Sequence, residues 1–298
     1  MKSLNKYVVA ISFLAVMVIS IPGRVLAATT PVLGAASSFT ILSSSYINTT
    51  AGTTINGDLG YTTGPATAPT VNGNTHIADS KYNRAGIAQN AALADLNSQA
   101  CTFDFSPGNI NLATDTTHGP VGQYGPGVYC IDGQASIGTA GINLMGSGTY
   151  IFRMDGALTT AANSVVTFSG GASPCDVFWT PTAATTLGAN STFGGIDIDP
   201  SGISIGSTVT WNGRALAFGG TVTTDVDTIS SAGCVTEFDE GDDDTTASSR
   251  SGTGSNTTPR LPNSGYEPQS NNASWGFIAP VAVVVTTGSL YLLRKRRA

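Results

Sequence analysis

The sequence predicts a mainly β protein, a three-sided β-solenoid with one α-helix packed alongside, and three observations predict it. The first is an 18-residue repeat in the C-terminal half: Phe193, Trp211 and Ile229 keep that spacing, as do Leu187 with Ile205 and Ile198 with Leu216. The polar residues Thr192, Thr210 and Thr228 keep step with them. A fixed period near 20 marks stacked coils, in which each coil buries its apolar residues only against its neighbours. The second is composition: 36 Gly in 298 residues, with abundant Thr and Ser, suits short strands and tight corners better than helices. The third is a stretch from about 75 to 98 whose apolar residues follow a helical period instead.

In chain order, residues 1–27 read as a signal peptide. Lys2 and Lys6 supply the positive start, Tyr7 to Ile21 the apolar core, Pro22-Gly23 the break, and Val25-Leu26-Ala27 the cleavage site. An uncleaved membrane anchor is the other reading; with cleavage, the mature chain begins at Ala28, outside the cytoplasm. The folded domain is expected over 28–236. In its helix, Ala78, Tyr82, Ala85, Ala92, Leu93 and Leu96 form one apolar stripe, with Thr75 placed to cap the start. An alanine-rich stripe permits close approach to a flat surface, so the helix should lie along the side of the strands. In the repeats, 18 residues suit three short strands and three corners. Gly188, Gly194, Gly195, Gly202, Gly206, Gly213, Gly219 and Gly220 supply small corner residues. The coil around Leu158 and Val166 is longer, with Ser169 to Cys175 as an inserted loop.

Beyond the domain the composition changes. Glu237, Asp239, Glu240, Asp242, Asp243 and Asp244 pass into Ser/Thr/Gly/Asn-rich sequence, and 237–274 reads as a linker. Trp275 to Leu293 is free of charge and is followed by Arg294-Lys295-Arg296-Arg297. At about 1.5 Å per residue it just spans a ~30 Å hydrocarbon core, with the basic tail inside. Leu261-Pro262-Asn263-Ser264-Gly265 resembles the sorting signal of sortase-anchored wall proteins, with Ser264 where that motif usually has Thr. Two attachments are open: sortase cleavage between Ser264 and Gly265, or a membrane-retained segment at 275–298. Either displays the domain on the cell exterior.

Charge and chemistry exclude several functions. Charged residues are 11% of the chain and the net charge is −6, so there is no basic surface for a nucleic acid. Four cysteines in an exported chain imply two disulfides; three pairings are possible, and chain order favours Cys101–Cys130 and Cys175–Cys234. A metal site would need more than these, since there is no CxxC pair and only His76 and His118 could assist. A glycan-cleaving enzyme would need clustered carboxylates with a base. The candidates, Asp197/Asp199 and Asp225/Asp227, read as solvated turn residues, and neither Arg153 nor Arg214 is assignable to them. No cofactor is called for, and the chain does not read as an enzyme.

The hydroxyl rows remain. Coils stack about every 4.8 Å and outward residues repeat about every 6.6 Å along a strand, so Thr on a flat face forms a grid of methyl and hydroxyl groups. Such a grid can order water into an ice-like layer. Thr and Ser are also simply good exposed strand residues, which leaves adhesion or a structural stalk open.

At this point the chain resembles the secreted microbial ice-binding protein family over nearly all of 31–234. The matching segments are Val32-Leu33-Gly34-Ala35-Ala36, Thr54-Ile55-Asn56-Gly57-Asp58-Leu59-Gly60, the helix, Gly127-Val128-Tyr129-Cys130, Cys175-Asp176-Val177-Phe178-Trp179 and Asn212-Gly213-Arg214-Ala215-Leu216. The resemblance implies a right-handed β-solenoid of triangular cross-section whose N-terminal segment stacks beside the C-terminal coils. It also implies a Thr-(Ala/Gly)-x-(Thr/Asn) motif on one flat face. Thr50-Ala51-Gly52-Thr53 and Thr160-Ala161-Ala162-Asn163 fit it. Ala189-Asn190-Ser191-Thr192 and Ser207-Thr208-Val209-Thr210 keep the second anchor, and Val226 replaces the first before Thr228. The expected ice-contacting set is therefore Thr50, Thr53, Thr160, Asn163, Thr192, Ser207, Thr210 and Thr228. A second row, Thr186, Ser204 and Thr223, belongs to the same or a neighbouring face. The implied function is adsorption to an ice crystal surface, restraining growth and recrystallisation; a non-catalytic adhesin or wall-structural module on the same scaffold is the alternative.

Overall fold

A computed structural model describes residues 27–231, 233 and 234. The expected signal segment before Ala27, the linker with its Leu261–Gly265 motif and the apolar span at 275–298 lie outside the described residues. The fold is mainly β with one α-helix, as the sequence predicts. Every strand pairing is parallel, and strands one repeat apart lie side by side. Thr192-Phe193 pairs with Thr210-Trp211, and Thr210-Trp211 with Thr228-Ile229. The next strand is not the next in sequence: Thr228-Ile229 pairs with Thr54-Ile55, and Thr54-Ile55 with Thr70-Val71. The N-terminal segment thus extends the C-terminal stack, the discontinuity that the family resemblance implies.

Three ladders can be followed. The first contains Thr192, Thr210, Thr228, Thr54 and Thr70. The second contains Ile151, Phe178, Ile196, Arg214 and their partners. The third contains Ser136, Thr159, Thr186, Ser204 and Thr223. Alternation along each strand sends apolar side chains inward. There, rings form a continuous stack from Phe103 through Tyr129, Phe152, Trp179 and Phe193 to Trp211, with successive centroids 4.3–5.4 Å apart. Burial of such rings is the main favourable term available to this chain.

The helix α1 (Ser80–Ser98) lies on the second ladder, burying Tyr82, Ala85, Ala92 and Leu96 against Phe39, Leu42, Val128, Ile151, Phe178, Ile196 and Leu216. Its start differs from the expectation. Thr75 belongs to the strand Thr75–Ile77, which pairs with Leu59–Tyr61, and the cap is Asp79, whose carboxylate accepts from the Tyr82 N–H at 2.7 Å. Ala78, expected in the apolar stripe, turns out of the strand with φ 49° and is exposed. Gly86 faces the Phe218 ring so closely that a Cβ there would lie 2.3 Å from it. At the other end, the Arg153 guanidinium donates to the Asn97 and Gln99 carbonyls at 2.7 and 3.0 Å, meeting acceptors that a helix end leaves open.

Both expected disulfides are present, Cys101–Cys130 beyond the helix and Cys175–Cys234 at the C-terminal edge. Beside the second, buried Arg214 donates to the Ser37 and Cys234 carbonyls, tying the first residues of the domain to the last. Burial draws its guanidinium down to about 10.

Candidate functional site

The outward side of the first ladder is a polar row held by an apolar one. Phe193, Trp211, Ile229 and Ile55 are fully or almost fully buried. Their neighbours Thr192, Thr210, Thr228 and Thr70 are exposed, and Thr54 is half-buried. The five threonines occupy consecutive rungs, so their side chains repeat about every 4.8 Å. Two residues further along each strand, Asn212, Ser230 and Asn56 pair in turn. Asn72 continues that row, its Nδ2 donating to Asn56 Oδ1 at 2.8 Å. The result is a grid of Thr beside Asn or Ser without a charged side chain. At the other end Val165 bridges to Thr192, continuing the row in methyl groups, and the ring of Phe168 lies over Gly194.

Sequence reasoning found Thr192, Thr210 and Thr228 and missed Thr54, Thr70, Asn56, Asn72, Asn212 and Ser230. A signal was available in the pattern Thr-x-Asn/Ser at 54–56, 70–72, 210–212 and 228–230. It was hidden because the rungs join across a gap of more than 150 residues, between Thr228 and Thr54.

The other expected residues lie elsewhere. Thr53 is fully buried; its hydroxyl donates to Asn48 Oδ1 at 2.8 Å and accepts from the Asp227 N–H at 3.2 Å. Thr160 is 8% exposed and accepts from the Gly188 N–H at 2.9 Å. Neither presents its hydroxyl to the surface. Thr50, Asn163 and Ser207 stand at the corner before the first ladder, where interaction with Thr50 and the neighbouring hydroxyls holds the Asp225 carboxyl below its usual value. Asn163 itself takes φ 61°, and Asn190, Thr208 and Val226 hold the same left-handed conformation at successive coils. The four-residue motif therefore bends around a corner. Its two anchors do not share one flat row. Asn and Asp tolerate that conformation best, which accounts for Asn163 and Asn190; Thr208 and Val226 are held there against preference. The second row, Thr186, Ser204 and Thr223, lies on consecutive rungs of the third ladder.

Three of the four acidic-pair residues are not solvated turn residues, whereas Asp225 stays half-exposed at its bend. Asp197, Asp199 and Asp227 are fully buried. Asp199 accepts from the Thr185 and Ser201 N–H groups, each at 2.8 Å. Asp227 accepts from Val209 and Asp225 N–H at 2.8 and 2.7 Å. Asp199 and Asp227 fasten corners, where backbone donors turn inward and need acceptors. Burial pushes Asp227 up to about 6, and burial with the nearby Asp199 carboxyl pushes Asp197 well above the usual carboxylate range. Among the described residues the one grouping of metal-type ligands is Cys101, Asp104 and Cys130, and both sulfurs are tied in the disulfide. His76 and His118 instead pair with Asp79 and Asp115 at 2.7 and 3.3 Å. The surface offers a regular lattice of weak donors, acceptors and methyl groups, suited to binding and not to catalysis.

The description of the ice-binding-like family matches residues 41–230, well over half the chain, and the chain belongs to that family. It is 29% identical to an ice-binding protein of Nostoc sp. (strain HG1) over 222 residues, covering 72% of this chain and 78% of that protein. An ice-binding protein of Flavobacterium frigoris (strain PS1) is 29% identical over 198 residues, covering 62% of this chain and 71% of the relative. The fold resembles the crystal structure of an ice-binding protein from an Antarctic biological consortium, with TM-score 0.62, 26% identity and coverage of 71% of this chain and 96% of the other. It also resembles the ice-binding protein of the Antarctic ascomycete Antarctomyces psychrotrophicus, at TM-score 0.57 and 28% identity, covering 68% of this chain and 98% of that one. The relatives are named for binding and not for catalysis, and the chain is not an enzyme.

Proposed function

We propose that this protein adsorbs to ice through the outward side of the first ladder, on a right-handed β-solenoid of triangular section. The observation that carries the reading is the five-rung threonine row with its parallel Asn/Ser row, which is uncharged and backed by buried apolar side chains. A rigid grid loses little entropy when it meets a lattice, so weak contacts add along it. The family membership supports the ligand, and three parallel ladders, stepping by 18 or 19 residues in the C-terminal part, support the solenoid. Of the residues expected from sequence, Thr192, Thr210 and Thr228 belong to this surface; Thr50, Asn163 and Ser207 border it. Adsorbed molecules force ice to curve between them, which restrains growth and recrystallisation.

The same reading has the domain exported and displayed on the cell surface. Two disulfides suit an oxidising exterior, and the order of Leu261–Gly265, apolar span and basic tail suits a wall or membrane anchor. Among the described residues no helix is long and apolar enough to cross a membrane.

The test is recrystallisation inhibition by the intact chain and by Thr192→Tyr with Thr210→Tyr. A ring on each of two adjacent rungs holds neighbouring hydroxyls off the lattice, so inhibition should fall while the melting temperature stays nearly unchanged. Asn90→Tyr, exposed on α1, is the control and should leave inhibition intact. Full inhibition by the double variant would place the contact surface elsewhere. No activity in the parent chain would favour the adhesin alternative.

A further inference from the structure

We propose that the third ladder is a second ice-adsorbing face, so that one molecule engages ice by two surfaces meeting along a shared corner. The inference rests on the ice-binding reading above and adds a site to it.

The outward row of this ladder runs over seven consecutive rungs, Asn111, Ser136, Thr159, Thr186, Ser204, Thr223 and Ile47. Six of the seven carry a hydroxyl or amide and none is charged. The row is longer than the threonine row of the first ladder and shares no residue with it. Beneath it, Ile137, Leu158, Leu187, Ile203, Ile205 and Val222 are buried, so the strands are anchored from inside. At the Thr223 end a buried chain of hydrogen bonds adds stiffness: Tyr46 OH and Thr224 Oγ1 lie 2.8 Å apart, and Thr224 and Thr53 both donate to Asn48, at 2.9 and 2.8 Å.

Flatness is the second observation. Two residues beyond four successive members of the row come Gly138, Ala161, Gly188 and Gly206. At Gly188 and Gly206 a Cβ would lie 2.4 and 2.6 Å from the backbone of the neighbouring coil, so no side chain can rise there. Along those four rungs a flat strip therefore borders the hydroxyl row, up to the corner where Asn163, Asn190 and Thr208 turn the chain onto the first ladder; after Thr223 the equivalent position is Asp225, half-exposed at the corner. Thr186 and Thr192, and likewise Ser204 and Thr210, are six residues apart across that corner.

The chemistry selects ordered water. A flat row of hydroxyls and methyls, with no cation, carboxylate or aromatic side chain in it, lacks the groups that hold phosphates, metal ions or sugar rings. It does offer repeated hydrogen-bonding groups at a fixed spacing, which an ice surface can meet at six of its seven rungs.

The experiment uses the intact, fluorescently labelled chain adsorbing to a single ice crystal. Three variants are compared with the parent: Thr186→Tyr with Ser204→Tyr, Thr192→Tyr with Thr210→Tyr, and all four together. Either pair alone should leave adsorption by the other face, and the four together should abolish it, with melting temperatures close to the parent's. If a tyrosine pair unfolds, Thr186→Val with Ser204→Ala and Thr192→Ala with Thr210→Ala repeat the comparison without added bulk. Complete loss in the Thr192/Thr210 pair, with the Thr186/Ser204 pair behaving like the parent, rejects the second face while the first stands. Complete loss in the Thr186/Ser204 pair alone leaves one face, the third ladder, and also rejects the two-face reading. Adsorption that survives all four changes rejects both faces, and absence of adsorption by the parent removes the ice-binding reading itself.

Discussion

At the scale of single residues, Asp197 and Asp227 show how far position overrides residue type. Both read in sequence as polar corner residues, yet both are buried and their protons are held more tightly than in the unfolded chain. A carboxyl whose folded value exceeds its unfolded value, near 3.9, takes up protons on folding, so stability falls as pH rises through that window. For Asp227 the window runs from about 4 to about 6. Asp58 and Asp79 act oppositely. Burial works against their ionisation, but it is outweighed by hydrogen bonds, from Asn74 N–H and Lys81 for the one and from Tyr82 N–H and His76 for the other. Their contribution is lost as pH falls through the range below about 4. Thermal unfolding should therefore peak in mildly acidic buffer and decline toward pH 8. Asp197→Asn removes the charge without changing the shape, so it should raise the melting temperature at pH 8 more than at pH 5. An equal loss at both pH values would show that Asp197 is needed as an ionised group.

At the scale of the element, α1 tests where a helix begins. Its apolar stripe was legible because Tyr82, Ala85, Ala92 and Leu96 repeat at helical spacing, and all four are buried. The start was not legible, because Thr75 and Asp79 are both acceptable capping residues in sequence. Pairing of Thr75–Ile77 with Leu59–Tyr61 decides between them, since a residue in a ladder is not free to cap. Asp79→Ala should cost roughly 1 kcal/mol through the lost acceptor for Tyr82 N–H. Thr75→Ala, on an exposed strand position, should stay within about 0.5 kcal/mol. Urea unfolding of the two variants measures the difference, and equal costs would contradict the observed cap.

At the scale of the whole molecule, two covalent ties close the fold at its edges. Cys101–Cys130 and Cys175–Cys234 span 29 and 59 residues of sequence. On the chain-entropy account each contributes roughly 4 kcal/mol by restricting the unfolded chain. Replacing Cys175 and Cys234 together by Ser should lower stability by about that amount, with greater protease sensitivity at the joined ends, where Arg214 bridges Ser37 and Cys234. Non-reducing peptide mapping should recover both pairs. For the proposed display, deleting 275–298 should release the domain into the medium, whereas replacing Leu261 and Pro262 by Ala should release it only in part. Unchanged attachment after the second change would favour a membrane tail over sortase processing.

The sequence by itself determined the mainly β class, the single helix and the stacking of Thr192, Thr210 and Thr228. All of these are local or periodic signals, and a fixed 18-residue step carries register without further information. Only the tertiary structure decided which hydroxyls share a surface. Thr54 and Thr70 join the row because the N-terminal segment stacks on the last coil, a contact between residues too distant for any period to connect. Thr53 and Thr160 leave it because one left-handed residue at each corner turns the chain, and in a strand a shift of one position reverses which side chain meets solvent.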